Sequence, residues 1–247
     1  MARRSLKIVG ITCVYNEARK YLKEVLIEKS KLCDKIIVLG DSPTDETKEI
    51  CEKFSKVEYR ETKERLFNTH QWLLKELALK YASYKKPDWI LAFDADELFE
   101  KRVNRKVLEE LAFKGHNSYY FRFVHLWDDR EHIRVDRGWD KLYKVIFYKF
   151  QPDQEQKFAK KALHCGLAPL YAHQKPRPEV SGYIVKHLGY MKPEDRKKKF
   201  LRYNRFDSSG FYKPKWWYNS IIEKGKIIPF EENYGYQDDQ MRQSKRS

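Results

Sequence analysis

The sequence predicts an α/β fold, a sheet with flanking helices, followed by a basic and aromatic helical tail. Residues 1–100 alternate short apolar runs with amphipathic stretches, which is typical of repeated β-α units around a parallel sheet. After residue 100 the apolar runs become longer and richer in aromatic residues, which favours further strands. Basic and aromatic residues dominate from about residue 191 onward.

Strands and helices alternate in the predicted first half. The helical spans carry apolar residues at spacings of three and four, which places them on one face. Pro87 ends the third helix because proline cannot continue one. The predicted strands are 7–15, 35–39, 56–60 and 89–93, and the predicted helices are 17–32, one beginning at Pro43 and Thr44, and 65–82. Their predicted core-facing residues are Leu22, Val25, Leu26 and Lys29, then Ile50 and Phe54, then Leu66, Leu73, Leu77 and Tyr81.

The second half is predicted to contain longer strands. A helix over 103–113 is closed by Gly115, since glycine favours the left-handed conformation that ends helices. Predicted strands follow at 118–126, 142–150 and 180–186, with loops at 127–131 and 169–178. A helix over 193–203 is predicted in the tail.

Length and composition are typical of a globular protein with one large domain, or one domain and an appendage. No apolar stretch approaches the ~20 residues that cross a bilayer, and the first apolar run is interrupted by Gly10 and Thr12. We therefore expect neither a signal peptide nor a membrane span. The four cysteines show no Cys-x-x-Cys spacing, which favours reduced thiols in a cytoplasmic protein and disfavours a zinc site.

The tail concentrates positive charge. The chain has a net charge of +15, and eight lysines and arginines lie between residues 196 and 215 against the single acid Asp207. Such a bias attracts phosphate, and basic residues interleaved with aromatic ones are typical of single-stranded nucleic-acid sites and of membrane-binding surfaces. A helix that packs its aromatic residues on the domain explains the pattern equally well.

Three carboxylates, at positions 94, 96 and 97, directly follow the predicted strand 89–93. Open α/β sheets bind ligands at the carboxyl ends of their strands. Neighbouring carboxylates repel one another unless a cation or strong donors lie between them, so the cluster favours a metal ion held against a phosphate-bearing substrate. The alternative is that Asp94 or Asp96 caps a following helix.

Three segments resemble, in order, the conserved motifs of family 2 glycosyltransferases of the GT-A fold. They are residues 11–17 (Ile-Thr-Cys-Val-Tyr-Asn-Glu), 41–47 (Asp-Ser-Pro-Thr-Asp-Glu-Thr) and 94–97 (Asp-Ala-Asp-Glu). A weaker likeness continues to residue 203 through residues 187–190. The resemblance implies a GT-A type, Rossmann-like mixed sheet in a domain at 1–191, with a nucleotide-binding half at 1–100 and an acceptor-side half at 101–191. Residues 192–247 then form the basic aromatic extension.

The resemblance also implies donor contacts from the ends of the first two strands and from the next helix. The implied residues are Tyr15, Asn16, Glu17, Asp41 and Arg65. Each polar side chain has a structural alternative. Asn16 could cap a helix, Asp41 could form a turn with the residues that follow it, and Arg65 could lie on a solvated helix face.

For the metal, the resemblance implies Asp94 and Asp96, because the family's Asp-x-Asp pair orients the ribose and binds a cation that bridges the diphosphate. Oxygen ligands suit Mg²⁺ or Mn²⁺. In an extended strand these two side chains share one side while Ala95 points away. His187, after the predicted strand 180–186, is a further candidate for contact with the metal or the diphosphate, with a structural histidine as the alternative.

The activity that the resemblance implies is metal-dependent, inverting transfer of a single sugar from a nucleotide-diphospho-sugar, above all a UDP-sugar. The implied acceptor is a hydroxyl of a glycan or of a lipid-linked molecule, as in the synthesis of cell-surface glycans or lipopolysaccharide. Inversion needs a carboxylate base, and the acidic loop offers Asp128 and Asp129, with Glu131 and Asp140 as substitutes. An exposed loop without catalytic role is the alternative.

Other functional classes remain open at this stage. A nucleotidyltransferase acting on a sugar phosphate would also place carboxylates beside a nucleotide, but residues 13–18 lack the glycine and basic residues of its usual first loop. A nucleic-acid-binding protein would explain the charge, but no recognisable DNA or RNA module is present. Within the leading class, residues 196–218 are predicted either to contact the inner membrane face peripherally or to cover the sheet.

Overall fold

A mixed sheet of eight strands organises residues 5–235, which are those that the computed structural model describes. The strands are β1 (Ile8–Val14), β2 (Lys35–Gly40), β3 (Val57–Glu61), β4 (Trp89–Ala92), β5 (Glu97–Phe99), β6 (Ser118–His125), β8 (Leu142–Lys149) and β9 (Glu179–His187), and they lie side by side in the order β3-β2-β1-β4-β8-β6-β9-β5. A separate two-stranded sheet pairs β7 (His132–Arg134) antiparallel with β10 (Ile227–Pro229).

Six α-helices accompany these strands within the described residues. They are α1 (Leu22–Leu32), α2 (Thr47–Glu52), α3 (Gln71–Ser83), α4 (Arg105–Phe113), α5 (Pro193–Phe206) and α6 (Lys215–Ser220). The mixed α/β architecture confirms the predicted fold class. The last twelve positions of the predicted extension, 236–247, lie outside the described residues.

Strand direction brings six strand ends to one side of the sheet. Strands β1 to β4 are parallel to one another, β8 runs antiparallel to β4 and to β6, and β9 is parallel to β6. As a result β1, β2, β3, β4, β6 and β9 all end at the same edge, which we call the carboxyl edge. The chain places its site here because this is where parallel strands leave room for ligands.

Helix α1 begins later than predicted, at Leu22 instead of residue 17. The preceding residues are held in a loop by residues at the start of α2: the backbone N–H of Glu17 donates to Thr47 Oγ1 (2.8 Å), and that of Ala18 donates to Asp45, two residues before the helix (3.1 Å). The predicted buried face is confirmed, since Leu22, Val25, Leu26 and Lys29 are all buried.

Helix α3 also begins later than predicted, at Gln71 instead of residue 65. The Asp41 carboxylate accepts the backbone N–H groups of Leu66 (2.7 Å) and Phe67 (3.0 Å), and this holds residues 65–70 as a loop against the carboxyl edge. The predicted core face was wrong by about one residue: Leu73, Leu77 and Tyr81 are half-buried. The side chains that α3 buries are Leu74, Lys75, Ala78, Leu79 and Ala82.

The predicted elements after residue 100 are confirmed as α4, β6, β8, β9 and α5. Asn104 caps α4 by accepting the backbone N–H of Val107 (3.1 Å), and Gly115 has the positive φ expected of a residue that ends a helix. Strands β5, β7 and β10 and helix α6 were not predicted. All four cysteines are free thiols, and within residues 5–235 no helix is both long and apolar enough to cross a membrane.

Candidate active site

A cleft of about 670 Å³ opens along the carboxyl edge. Its floor consists of side chains that follow or end the parallel strands: Tyr15 after β1, Asp41 after β2, Asp94 after β4, His125 at the end of β6 and His187 at the end of β9. The start of β8, the loops on either side of that strand, and residues of α5 and α6 complete its walls. Of the residues predicted for the site, Tyr15, Glu17, Asp41, Arg65, Asp94, Asp96 and His187 line this cleft.

At the β2 end of the cleft, Asp41 holds the loop before α3 in place. Its side chain is 1% exposed, and both of its oxygens accept backbone N–H groups of the loop before α3. Arg65 on that loop lies with Nε 4.0 Å from Asp41 and with its guanidinium 3.5 Å from the centroid of the Tyr15 ring. Tyr15 and Arg65 thereby form a planar, positively charged surface beside the end of β1.

Asn16 and Glu17 differ in what they face. Asn16, at a φ of 50°, bridges to Thr44 by accepting its backbone N–H (2.8 Å) and donating to its hydroxyl (3.0 Å), and it neither caps α1 nor lines the cleft. Glu17 lines the cleft and pairs with Lys20 at 3.1 Å. Burial raises the pKa of Glu17 to about 7, so this carboxyl group changes charge near neutral pH.

Each acid of the predicted carboxylate cluster is held by a lysine. Asp94 Oδ1 lies 3.1 Å from Lys75 Nζ on α3, and Asp96 Oδ2 lies 3.3 Å from Lys199 Nζ on α5. The third acid, Glu97, is buried at the start of β5, where it contacts Lys144 Nζ of β8 at 2.9 Å and accepts the backbone N–H of Asp94. Neither Asp94 nor Asp96 caps a helix, because β5 and not a helix follows them.

These pairs determine how the cluster is charged. Burial opposes ionisation, but the Lys75 ammonium holds the pKa of Asp94 below its usual value, and the Lys199 ammonium does the same for Asp96. For Glu97, burial outweighs the Lys144 ammonium and raises the pKa to about 6. The two aspartates therefore stay ionised at neutral pH, as a cation site requires.

A histidine pair lies next to Asp96. His187 Nε2 is 3.4 Å from Asp96 Oδ2, and His187 Nδ1 is 3.2 Å from His125 Nδ1. Burial keeps the pKa of both imidazoles well below the ordinary value, so both are neutral. Gly189 allows this close packing, because a Cβ at that position would collide with Asp96 Oδ2 and Lys199 Nζ.

Aromatic side chains build the wall beyond the histidines. Trp139 contacts the His125 ring edge-on at 5.0 Å and stacks on Trp217 of α6 with centroids 5.0 Å apart and planes at 17°. We call Trp139 and Trp217 the tryptophan wall. His164 and Tyr203 lie against Trp217, at 6.2 and 6.3 Å between ring centroids. The basic aromatic segment that follows residue 191 therefore lines the cleft with part of its side chains.

The family of the chain follows from a comparison of its sequence with family models. Residues 11–170 match the model described as "Glycosyl transferase family 2". The matched residues contain the second half of β1, the strands β2 to β8, and the carboxylates that follow β2 and β4.

The chain belongs to glycosyl transferase family 2. No curated protein matches it. Among solved structures, residues 1–349 of TarS from S. aureus in complex with UDP-GlcNAc align at 17% identity and a TM-score of 0.49, covering 88% of this chain and 70% of that one. The UDP complex of the same fragment aligns at 15% identity and 0.47, with the same coverage. A structure of S. aureus TarS aligns at 14% identity and 0.47 over 98% of this chain and 43% of that one.

The two bases predicted for this family 2 enzyme do not lie on the cleft. Asp128 contacts Arg196 Nη2 at 2.7 Å, and Asp129 contacts His132 Nδ1 at 2.8 Å and accepts two backbone N–H groups of its own loop. Neither aspartate lines the cleft, whereas Glu17 and Asp195 do.

Sequence reasoning missed the lysines and His125. Lys75 carried a signal: it lies one turn before Ala78 and Leu79 on the buried face of α3, where a lysine requires a partner. Lys144 and Lys199 carried none, since they reach the carboxylates from elements 47 and 103 residues away in the chain. His125 lies inside the predicted strand 118–126 and ends the observed strand β6, and only the pairing of β6 with β9 shows that it meets His187.

Proposed function

We propose that this glycosyltransferase moves a single sugar, with inversion, from a UDP-sugar to a hydroxyl acceptor. The observation that carries the proposal is the placement of Asp94 and Asp96 after β4, at the same edge as Tyr15 and Asp41. In a parallel sheet this order along the edge matches the order of base, diphosphate and sugar in the donor. The Tyr15 and Arg65 surface is the proposed contact for the nucleotide, with Asp41 holding its loop in place.

A divalent cation, Mg²⁺ or Mn²⁺, fits this arrangement as part of the donor complex. Within the described residues no group of three or more potential protein ligands could hold a metal ion by itself. Mg²⁺ is commonly held by one or two carboxylates together with substrate phosphates, and Asp94 and Asp96, with His187 beside them, offer that partial set. When bound, the ion would stabilise negative charge on the departing nucleoside diphosphate.

The protein's own residues supply the remaining donor contacts. Lys75 and Lys199 keep the two aspartates ionised and oriented, and Lys144 adds positive charge beside both. These ammonium groups also face the space in which the diphosphate would lie. Positive charge placed at that point stabilises a leaving group that gains negative charge as the bond to the sugar breaks.

The experiment that tests this function measures hydrolysis of and transfer from UDP-sugars, with GDP-, CDP- and ADP-linked donors for comparison. We expect turnover to require Mn²⁺ or Mg²⁺, to stop in a chelator, and to fall ~100-fold or more in Asp96→Asn. Asp153→Asn is the matched control, because Asp153 is exposed and does not line the cleft. Undiminished turnover in the chelator and in Asp96→Asn would refute the proposal.

The general base is proposed to be Asp128 or Asp129, which requires their loop to approach the cleft when the acceptor binds. Loss of the base lowers kcat by about 10²–10⁴-fold, so the double variant Asp128→Asn/Asp129→Asn tests the assignment. An unchanged kcat in this variant would show that neither aspartate is the base. The candidates would then be the carboxylates that line the cleft, Glu17 and Asp195. The same assay on Glu17→Gln and Asp195→Asn separates those two.

Peripheral contact with an anionic membrane surface is the proposed role of the outward side of the tail. Phe211 is 82% exposed and Trp216 is 53% exposed, and Arg205 and Lys215 nearby in the sequence are exposed as well. Exposed aromatic residues combined with lysine and arginine suit the interface of a bilayer with anionic lipid. This contact would bring the cleft near a lipid-linked acceptor.

A further inference from the structure

The cleft carries more positive charge than the donor can offset. Nine lysines and arginines line it against five carboxylates, and Glu97, which contacts Lys144 from outside the lining, brings the net charge to +3. Each phosphate of a nucleotide-diphospho-sugar carries about one negative charge, so the donor offsets roughly two of these three charges. A divalent cation bound with the donor would enlarge the excess again.

The excess comes from basic side chains that have no acidic partner. Five of the nine pair with a carboxylate: Lys20 with Glu17, Arg65 with Asp41, Lys75 with Asp94, Lys144 with Glu97 and Lys199 with Asp96. The other four have no carboxylate within 4.0 Å among residues 5–235: Lys141, Lys198, Arg202 and Lys213. Unpaired lysines and arginines gathered in one cleft favour an anionic ligand.

Two of these four lie near the tryptophan wall, Lys213 through its contact with Trp217 and Lys141 through its place in the chain and in the cleft lining. Lys213 Nζ lies 5.6 Å from the centroid of the Trp217 ring, and Lys141 follows Trp139 by two residues, with its backbone N–H bonded to Gly138 O at 3.1 Å. Both lysines keep solvent contact, Lys141 as an exposed and Lys213 as a half-buried residue. A ligand in the cleft can therefore reach them.

The tryptophan wall is far from the nucleotide end. Asp41 follows β2, while Trp139 packs on His125 at the end of β6, and the order β2-β1-β4-β8-β6 separates them by four strand spacings. At about 4.8 Å for each spacing this distance is ~19 Å along the carboxyl edge. Asp94 and Asp96 follow β4, between these two ends. The diphosphate site thus lies between the nucleotide base and the tryptophan wall. The wall is on the side from which an acceptor must approach the sugar.

The chemistry of the wall is that of a phosphorylated carbohydrate. An indole face packs against the apolar C–H face of a sugar ring, and lysine binds phosphate as a point charge. His164 beside Trp217 contributes hydrogen bonding without charge, because burial and the nearby Lys213 and Arg202 lower its pKa to about 4. A neutral acceptor would leave Lys141 and Lys213 without a function.

We propose that the acceptor is a phosphate-bearing glycan whose phosphate is bound by Lys141 and Lys213 and whose sugar ring packs on Trp217. This inference rests on the proposed function, since it names the acceptor class of the same cleft. The phosphate belongs either to a soluble or polymeric glycan phosphate or to a lipid-linked one. In both cases the recognised chemistry is a sugar with a phosphate close to it.

The test measures binding of glucose 6-phosphate and of glucose to the full chain saturated with UDP and Mg²⁺, by ³¹P and ¹H NMR titration. We expect glucose 6-phosphate to bind and glucose to bind about tenfold more weakly or not detectably. The variant Lys141→Gln/Lys213→Gln should weaken glucose 6-phosphate binding about tenfold. Lys215→Gln, an exposed lysine two residues from Lys213 and outside the cleft, should bind it as the wild type does.

The outcomes separate this inference from the proposed function. If UDP itself does not bind, the proposed function fails. If UDP binds but the protein does not distinguish glucose 6-phosphate from glucose, or the double variant binds it as tightly as wild type, the acceptor inference is overturned. Vesicles of phosphatidylglycerol and phosphatidylcholine added as competitors identify the source: competition indicates a lipid-linked phosphate, and its absence indicates a soluble or polymeric one.

Discussion

At the scale of single residues, Lys75 shows what keeps the floor of the cleft charged. Its side chain is 5% exposed and its ammonium lies 3.1 Å from Asp94, whereas Asp94 is 39% exposed. A buried charge is tolerated only with a partner, and removal of one partner leaves the other uncompensated. The pair is therefore a fixed part of the fold that also sets the charge of the diphosphate site.

Lys75→Met should lower the free energy of unfolding by about 2 kcal/mol, because Asp94 loses its partner and its solvent contact recovers only part of the cost. Urea denaturation followed by circular dichroism measures this. The control is Lys106→Met on α4, whose exposed pair with Glu110 at 3.9 Å contributes at most ~0.5 kcal/mol. Equal losses in the two variants would contradict the role given to Lys75.

Glu17 gives a pH-dependent prediction. Because its folded-state pKa is raised from 4.5 to about 7, the folded protein retains a proton that the unfolded chain releases. Stability then falls as pH rises from about 4.5 to 7, and Glu17→Gln should remove this loss, on the order of 2 kcal/mol at pH 8 and close to nothing at pH 4. Unfolding at the two pH values, with exposed Glu155→Gln as control, measures it. An identical pH dependence of stability in wild type and Glu17→Gln would show that Glu17 does not have a raised pKa in the folded protein.

At the scale of elements, α5 connects the tail to the catalytic cluster. It begins after the sharp turn at 188–192 and presents Lys199 to Asp96, while Arg196 on the same helix bonds Asp128 and two carbonyl groups of that turn. The helix is thus attached to the rest of the domain within its first two turns. Its position determines how much positive charge reaches the diphosphate site.

Lys199→Met should tighten binding of Mn²⁺ in the absence of donor several-fold, because the ammonium group competes with a cation for Asp96. Electron paramagnetic resonance of free Mn²⁺ gives the dissociation constant. Lys197→Met changes an exposed lysine of the same helix and serves as control. Weaker Mn²⁺ binding in Lys199→Met than in this control would show that Asp96 is not a cation ligand.

The sequence predicted elements where periodicity or apolar length is strong and failed where pairing depends on distant residues. The apolar runs of β1, β2 and β4 are long enough to be recognised in the sequence. Recognising these strands also located the residues that follow them, Tyr15, Asp41 and Asp94. Strands β5, β7 and β10 have three residues each, and β10 pairs with a strand about 95 residues earlier. The starts of α1 and α3 were misplaced because Thr47, Asp45 and Asp41 bind the backbone before them, and no local pattern reports such contacts.

At the scale of the whole molecule, part of the positive charge behind the net +15 of the chain lies on two surfaces of the described residues. One part lines the cleft and the other lies on the outward side of α5 and α6. The two can be separated experimentally because Phe211 and Trp216 do not line the cleft. Membrane contact and substrate binding should therefore respond to different substitutions.

Phe211→Ser/Trp216→Ser should reduce retention on sedimenting vesicles of phosphatidylcholine with about one-third phosphatidylglycerol, while wild type is retained at low salt and released as salt screens the charge. The control is Phe113→Ser on α4, because Phe113 is 55% exposed and its loss removes an exposed aromatic residue elsewhere on the surface. The proposed contact is wrong if wild type and the double variant sediment alike.

The tryptophan wall should also make the intrinsic fluorescence of the protein sensitive to ligand binding. Indole emission depends on water contact and on neighbouring charges, and Trp139 and Trp217 are stacked against each other inside the cleft, with Lys213 over one of them. A ligand that displaces water from Trp217 would change the emission of unlabelled protein. The chain has six tryptophans, so the difference between wild type and Trp217→Phe isolates the signal of the wall, which nucleotide bound ~19 Å away at the β2 end would change far less.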